Sequence, residues 1–293
     1  MSWAEVKHAL NSTLGTEEFL PLDQLMSVRV MEVYEALRTP YVEYESAGTF
    51  EYTVPDGIHK LYIAACAGGA GGTGASGDRY TDLPKTPGAG GGGGEAVINY
   101  EMRVTPGEIV NITVGAGGGG GVTSDNPTAG TNGGNTVVGS LTLTGGKAGT
   151  ITDVGAAYQF TGGNAGGPGG GRGGNTYQVG TDGILGKGGE PYVDSVAGGG
   201  GGSIGNGGFV DGYKSYSYTF TSATRGGGGS GGMNPGSTGN VQNGRRGAPG
   251  YVMISVIKIT DDMINGTAAS ANAATYSEAE LMAAYREGVE SVG

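Results

Sequence analysis

Hydrophobic and polar positions alternate in more than one way along the chain, and each pattern predicts a different element. Near the start, Trp3, Val6, Leu10 and Leu14 recur at three and four residue spacing, the signature of one helix face. Ser2-Trp3-Ala4-Glu5 forms a capping box ahead of them, and Gly15 supplies a stop. A second helix is predicted from about Leu22 to Leu37, ending before Pro40, with Leu22, Met26, Val30, Val33 and Leu37 as a narrow stripe. So narrow a stripe suits a coiled-coil seam between copies of the chain or a helix packed on its own chain, and two heptads do not choose between them.

From Phe50 the period drops to two. Phe50, Tyr52 and Val54 alternate with polar residues, Pro55-Asp56-Gly57 reads as a turn, and Ile58 to Ala67 continues as a strand, together a predicted hairpin. The same device recurs from Glu95 to Val114 around Pro106-Gly107, and again from Asn135 to Thr144 around Gly139. A last strand is predicted from Tyr251 to Thr260. After the Ala-rich stretch near Ala268 to Ala274, Ser277-Glu278-Ala279-Glu280 heads a C-terminal helix.

Between the strands the pattern disappears into glycine. The chain has 293 residues and 67 glycines, of which 61 fall within residues 68–250. No Gly-X-Y period is present, so collagen is excluded. Gly-rich stretches are usually flexible linkers, but these runs are short, numerous, bounded by strands and poor in serine. An extended glycine run in the polyproline II conformation turns once in about three residues and directs every amide outwards, so several runs can satisfy one another. The expected members of such a bundle are 68–74, 88–94, 115–121, 162–174, 198–208 and 226–232, with Gly133-Gly134 as a shorter piece. One run alone could not offset the backbone entropy of ordering.

This reading leaves function to the residues between the runs. Tyr80, Tyr158, Tyr177, Tyr192, Tyr213, Tyr216 and Tyr218 lie there, on predicted loops, and are the candidate residues of a binding surface. Tyrosine gives contact area at low entropic cost, and with Asp and Asn it suits sugars. The competing reading is that many of these rings pack against the bundle. Trp3, Leu22, Met26, Val30, Val33 and Leu37 are the candidates for oligomerisation or attachment.

Charge and motifs narrow the classes. The net charge is −11, yet residues 68–250 carry 11 acids and 10 bases; the surplus sits at the ends. No Lys/Arg cluster is present, so no nucleic-acid partner is expected. The single Cys66 excludes an intrachain disulfide framework, and it lies in an apolar strand where a small buried hydrophobe is expected. His8 and His59 are the only histidines, so no histidine-centred catalytic or metal site can be argued. Matches to Gly-x-Gly-x-x-Gly carry no weight in a one-third-glycine stretch, and Gly186-Lys187 fails the Walker pattern because Thr181 stands five before and Gly188 follows. No enzyme activity and no cofactor are expected. The N-terminus lacks signal-peptide regions and no 18-residue apolar run exists, so synthesis in the cytoplasm without membrane insertion is expected.

The stretches Phe50-Glu-Tyr-Thr-Val-Pro-Asp-Gly, Lys60 to Cys66 entering glycine, Gly90 to Gly94 followed by Glu95 to Val104, Val110 to Gly121, Gly133-Gly134-Asn135-Thr136 and Gly247-Ala-Pro-Gly-Tyr-Val-Met-Ile-Ser-Val occur in that order. Over residues 48–258 the sequence resembles the glycine-rich domains of bacteriophage tail fibre and receptor-binding proteins. Met1-Ser-Trp-Ala-Glu-Val-Lys is similar to the start of short tail proteins of phages and prophages of Gram-positive bacteria. The resemblance implies a polyglycine II core whose distal loops touch a host receptor, on a virion tail or phage-tail-like particle.

The expected fold is therefore mainly β with irregular glycine-rich structure: a small β-sandwich carrying a polyglycine II helix bundle, flanked by short N- and C-terminal α-helices. Residues 1–47 are expected to attach or oligomerise, 48–260 to form the sandwich and bundle, and 261–293 a linker and helix. The expected role is a tail fibre or adhesin binding a bacterial surface glycan or protein, a homotrimer joined to other tail or baseplate proteins through its N-terminal helices. The alternative is a structural baseplate or virion decoration protein without receptor binding, and an ice-binding bundle is disfavoured by the Tyr-rich insertions.

Overall fold

The computed structural model describes residues 41–76, 86–155, 158–176, 178–189, 197–211, 219–233 and 241–265. The helices predicted before Pro40 and after Ser277 lie outside them. Within them the chain is mainly β. The strands are β1 (Tyr41–Tyr44), β2 (Gly48–Thr53), β3 (Lys60–Cys66), β4 (Ala96–Arg103), β5 (Ile109–Val114), β6 (Thr136–Val138), β7 (Leu141–Leu143), β8 (Thr150–Asp153), β9 (Tyr158–Thr161), β10 (Phe209–Asp211), β11 (Thr219–Thr221) and β12 (Tyr251–Ser255), followed by the short helix α1 (Asp261–Asn265).

Two antiparallel four-stranded sheets, ordered β1-β12-β3-β4 and β2-β5-β6-β7, share one core. Strand β5 shows why. Val110, Ile112 and Val114 are buried while Ile109, Asn111 and Thr113 face out, so one side of the strand is committed to the facing sheet. Leu61, Ile63, Val252 and Ile254 meet them from the other sheet. Strand β12 is buried at every position because its outer face is covered as well, by Ile204, Ile259, Met263 and Ile264.

The Pro55-Asp56-Gly57 turn does not close a hairpin. It carries the chain from one sheet to the other, since β2 pairs with β5 while β3 pairs with β4 and β12. The Pro106-Gly107 turn makes the same crossing back, and Val54 and Val104 are buried at the two corners. The corners are stitched together by Val54 N–H to the Glu108 carbonyl and Gly107 N–H to the Val54 carbonyl, both 2.9 Å. Of the three pairs expected as hairpins, the one around Gly139 is a true hairpin. Residues 150–161, expected as a loop, form the hairpin β8–β9. The last strand stops at Ser255 rather than Thr260, where the Ser255 hydroxyl accepts the Ile257 amide at 3.1 Å.

The glycine segments leave and re-enter the sheets as extended chains that hydrogen-bond to one another in a three-residue cycle. In segment 67–76 the amides of Gly68, Gly71 and Gly74 donate to Gly134, Thr131 and Thr128; those of Gly69 and Gly72 to Ala248 and Arg245; those of Ala70, Thr73 and Ser76 to Gly92, Ala89 and Thr86. Its carbonyls accept from segments containing Gly118, Gly146 and Gly229. The segment is thus enclosed by six others, which is why its residues are buried although none is large. Segments 86–95 and 198–202 are enclosed in the same way. Backbones approach so closely that a Cβ on Gly71 would lie 1.9 Å from the Gly119 carbonyl oxygen, and one on Gly200 1.8 Å from that of Gly228.

The expected members 162–174 and 198–208 each prove to be two segments folded back on themselves, at 168–169 and 203–205. Gly169, at φ 74°, supplies the first reversal. Segments 144–149, 178–189 and 242–250 also join, although none contains a long glycine run.

Candidate functional site

Segment direction divides the glycine region into two ends. Segments following β3, β5 and β7 run away from the sheets, and those preceding β4, β6 and β12 return to them. The reversals next to the sheets are short. Pro168 accepts the Ala96 amide at 2.9 Å, the Ser203 hydroxyl donates to the Gly94 carbonyl at 2.8 Å, and the Cys66 thiol donates to the Arg225 carbonyl at 3.1 Å. Burial pushes that thiol up to about 12, so Cys66 is a neutral packing group in this setting.

A further turn at 183–186 also lies beside the sheets, the Ile184 amide donating to the Gly169 carbonyl at 2.8 Å, and the remaining reversals among the described residues lie at the far end. Ser76 and Thr86 are paired there, Ser76 bridges Ser124, Thr176 donates to the Pro87 carbonyl at 2.7 Å, and Met233 pairs with Gln242. Ala197, Val210 and Met233 share a small core with Phe220 at this end. The described residues flanking 77–85, 177, 190–196, 212–218 and 234–240 therefore all converge on the face opposite the sheets. Residue 41 enters at the other pole, because Tyr41 pairs with Ser255 while Val252, next to the bundle, pairs with Tyr44.

Of the seven candidate tyrosines, Tyr158 is the one among the described residues. It is only 8% exposed, packs with Phe160 and Ala89, and donates its hydroxyl to the Asp125 carbonyl at 3.2 Å. Little of its ring is left for a ligand; the side chain props the 125–126 turn. Tyr80, Tyr177, Tyr192, Tyr213, Tyr216 and Tyr218 lie outside the described residues, as do Trp3, Leu22, Met26, Val30, Val33 and Leu37. The far-end connections of the first six are brought together by the topology of their flanks.

Other far-end features were not anticipated from the sequence. Val122, Val154, Val179 and Val241 are each at least half exposed there. The Arg245 guanidinium lies over the Phe220 ring at 3.7 Å and donates to Gln242 Oε1 at 3.1 Å. In sequence the connections 77–85, 190–196 and 212–218 hold four acids, Asp78, Asp82, Glu190 and Asp194, against three bases, Arg79, Lys85 and Lys214, so they carry no strong charge of either sign. On the side of the bundle Lys187 sits 2.8 Å from Asp182 and holds that carboxyl below its usual range; the pair is exposed and contributes little.

Thr and Asn side chains finish the lattice where no further segment lies alongside. Thr128 and Thr131 Oγ1 accept the Val122 and Gly119 amides at 2.8 and 2.7 Å, while Asn132 and Asn135 Oδ1 accept those of Ala148 and Gly145 at 2.9 and 3.0 Å. Each oxygen stands where a neighbouring carbonyl would otherwise be. Their spacing of three residues is the signal in the sequence that could have identified them.

Among the described residues no group of three or more His, Cys, Asp or Glu side chains is placed to hold a metal, and no helix is long and apolar enough to cross a membrane. A family model described as a glycine-rich domain matches residues 45–256, from just after β1 to the residue after β12. No curated protein matches the chain.

Proposed function

Because the chain belongs to the glycine-rich domain family over residues 45–256, we propose that it is a tail fibre or adhesin of a phage or phage-tail-like particle, with its glycine segments packed as polyglycine II helices. The three-residue hydrogen-bond cycle and sixfold enclosure of segment 67–76 support the polyglycine II reading, since that helix repeats about every three residues. One observation carries the functional reading. The flanks of the tyrosine-bearing connections converge on one end, and the pole where residue 41 enters is at the other.

In this reading the part of residues 1–47 that precedes β1 attaches the protein to other tail or baseplate proteins, as a homotrimer, and the far end binds a glycan or protein on the bacterial surface. A rigid, hydrogen-bonded platform lowers the entropy cost of presenting variable contact loops. Deleting residues 1–40 is expected to abolish incorporation into particles while purified protein, cross-linked to restore valency, still binds host cells. Purified full-length protein that decorates particles yet binds no host cell would instead favour the baseplate or decoration role.

A further inference from the structure

Two non-glycine residues among those described have a positive φ, Asn99 at 57° and Arg225 at 34°. Such backbones cost free energy that glycine would avoid, so their side chains call for an explanation. Both hold the same nine residues. Asn99, in the irregular stretch of β4, donates its Nδ2 to the Ile259 carbonyl at 2.8 Å and accepts the Ile259 amide on Oδ1 at 2.7 Å. The Arg225 guanidinium lies over the Tyr251 ring at 4.4 Å, contacts Glu45 Oε1 at 2.7 and 3.2 Å, and donates Nη1 to the Ile264 carbonyl at the end of α1.

The segment they hold, 257–265, begins after Val256, which packs into the core between the sheets, and forms no ladder with any described strand. It lies across the outer face of the β1-β12-β3-β4 sheet and covers Ala64, Tyr251 and Met253 with Ile259, Met263 and Ile264. Thr260 accepts the Met263 amide on its carbonyl at 3.1 Å and starts the helical turn. Apolar cover without backbone pairing, closed by two strained clasps, is the construction of an element that can lift without disturbing the sheet beneath.

We propose that residues 257–265 are a latch, opening as a unit ahead of the sheets and the glycine bundle, with Asn99 and Arg225 as its clasps. Opening uncovers the outer face of β12. Because Arg225 also grips Glu45, just after β1, the clasp joins the segment that enters the fold to the one that leaves it.

The test is hydrogen exchange followed by mass spectrometry on the full chain. In Asn99→Gly and in Arg225→Gly, which relieve the backbone but remove the clasp, exchange at residues 257–265 is expected to rise by about tenfold or more. Amides of segment 67–76 should keep their wild-type rates. Glu45→Gln, which weakens the Arg225 contact from the solvent side, should give a smaller rise confined to the same residues, and it decides the matter if a glycine variant fails to fold. Latch and bundle exchanging in step, or a latch unchanged in the variants that fold, overturns the proposal.

Discussion

Gly71→Ala is expected to remove most or all of the stability of the protein, a loss above about 4 kcal/mol, while Gly119→Ala changes it by less than about 1 kcal/mol. The two glycines lie in hydrogen-bonded neighbouring segments and differ only in surroundings. A methyl on Gly71 would meet the Gly119 carbonyl oxygen at 1.9 Å and carbon at 2.4 Å, both backbone atoms that cannot rotate away. Making room means moving that strand of the lattice, which also strains the 3.0 Å bond from the Gly71 amide to Thr131. A methyl on Gly119 has only Thr131 Oγ1 near it, at 3.6 Å, an ordinary contact. Alanine there also restricts the unfolded chain, which offsets part of any cost. With total stability of a domain at about 5–15 kcal/mol, the first change should be evident from urea unfolding alone. Equal tolerance of both substitutions contradicts close packing.

The second large effect concerns binding. Replacing Tyr213, Tyr216 and Tyr218 together by Ala is expected to weaken attachment to host cells about a hundredfold, because buried aromatic contacts concentrate interface energy. The urea midpoint should stay within experimental spread of the wild type, since the glycine lattice is made between backbones and does not depend on these side chains. Cell binding by the purified protein, measured beside the unfolding curve, separates the two. Unchanged binding with an unchanged midpoint removes these three residues from the receptor surface. A fallen midpoint assigns them to packing, the role that the buried ring of Tyr158 already illustrates.

The sequence announces the strands because alternation is local, and β5 appears with the bounds that Ile109 to Val114 suggest. It does not announce their partners. Pro55-Asp56-Gly57 specifies that the chain turns, whereas the burial of Val54 and Val104 decides that it turns between sheets. Strand β1 is not legible in the sequence because Tyr41-Val42-Glu43-Tyr44 is short, follows a predicted helix and pairs with residues more than 200 positions away. Glycine runs marked the centre of the lattice, but its margins are written in Thr and Asn. Asn132 and Asn135 look like loop residues until the segment that ends at Ala148 is laid beside them. The reversals at Pro168-Gly169 and Ser203-Ile204-Gly205 interrupt the glycine runs, but only the hydrogen bonds of the flanking segments make them turns and not breaks within one extended run. At the far end the tyrosines were legible as candidates, yet only the direction of the segments brings their connections to one face.

The central claim is that glycine here is ordered scaffold and not tether, and amide exchange of glycine-labelled protein followed by NMR tests it most directly. The account requires Gly71, Gly72, Gly91 and Gly93, whose amides donate at 2.8–3.0 Å within the enclosed segments, to be among the slowest in the molecule, exchanging only through global unfolding. Exchange of those amides at the rate of an open chain, with the sheets still protected, would contradict it.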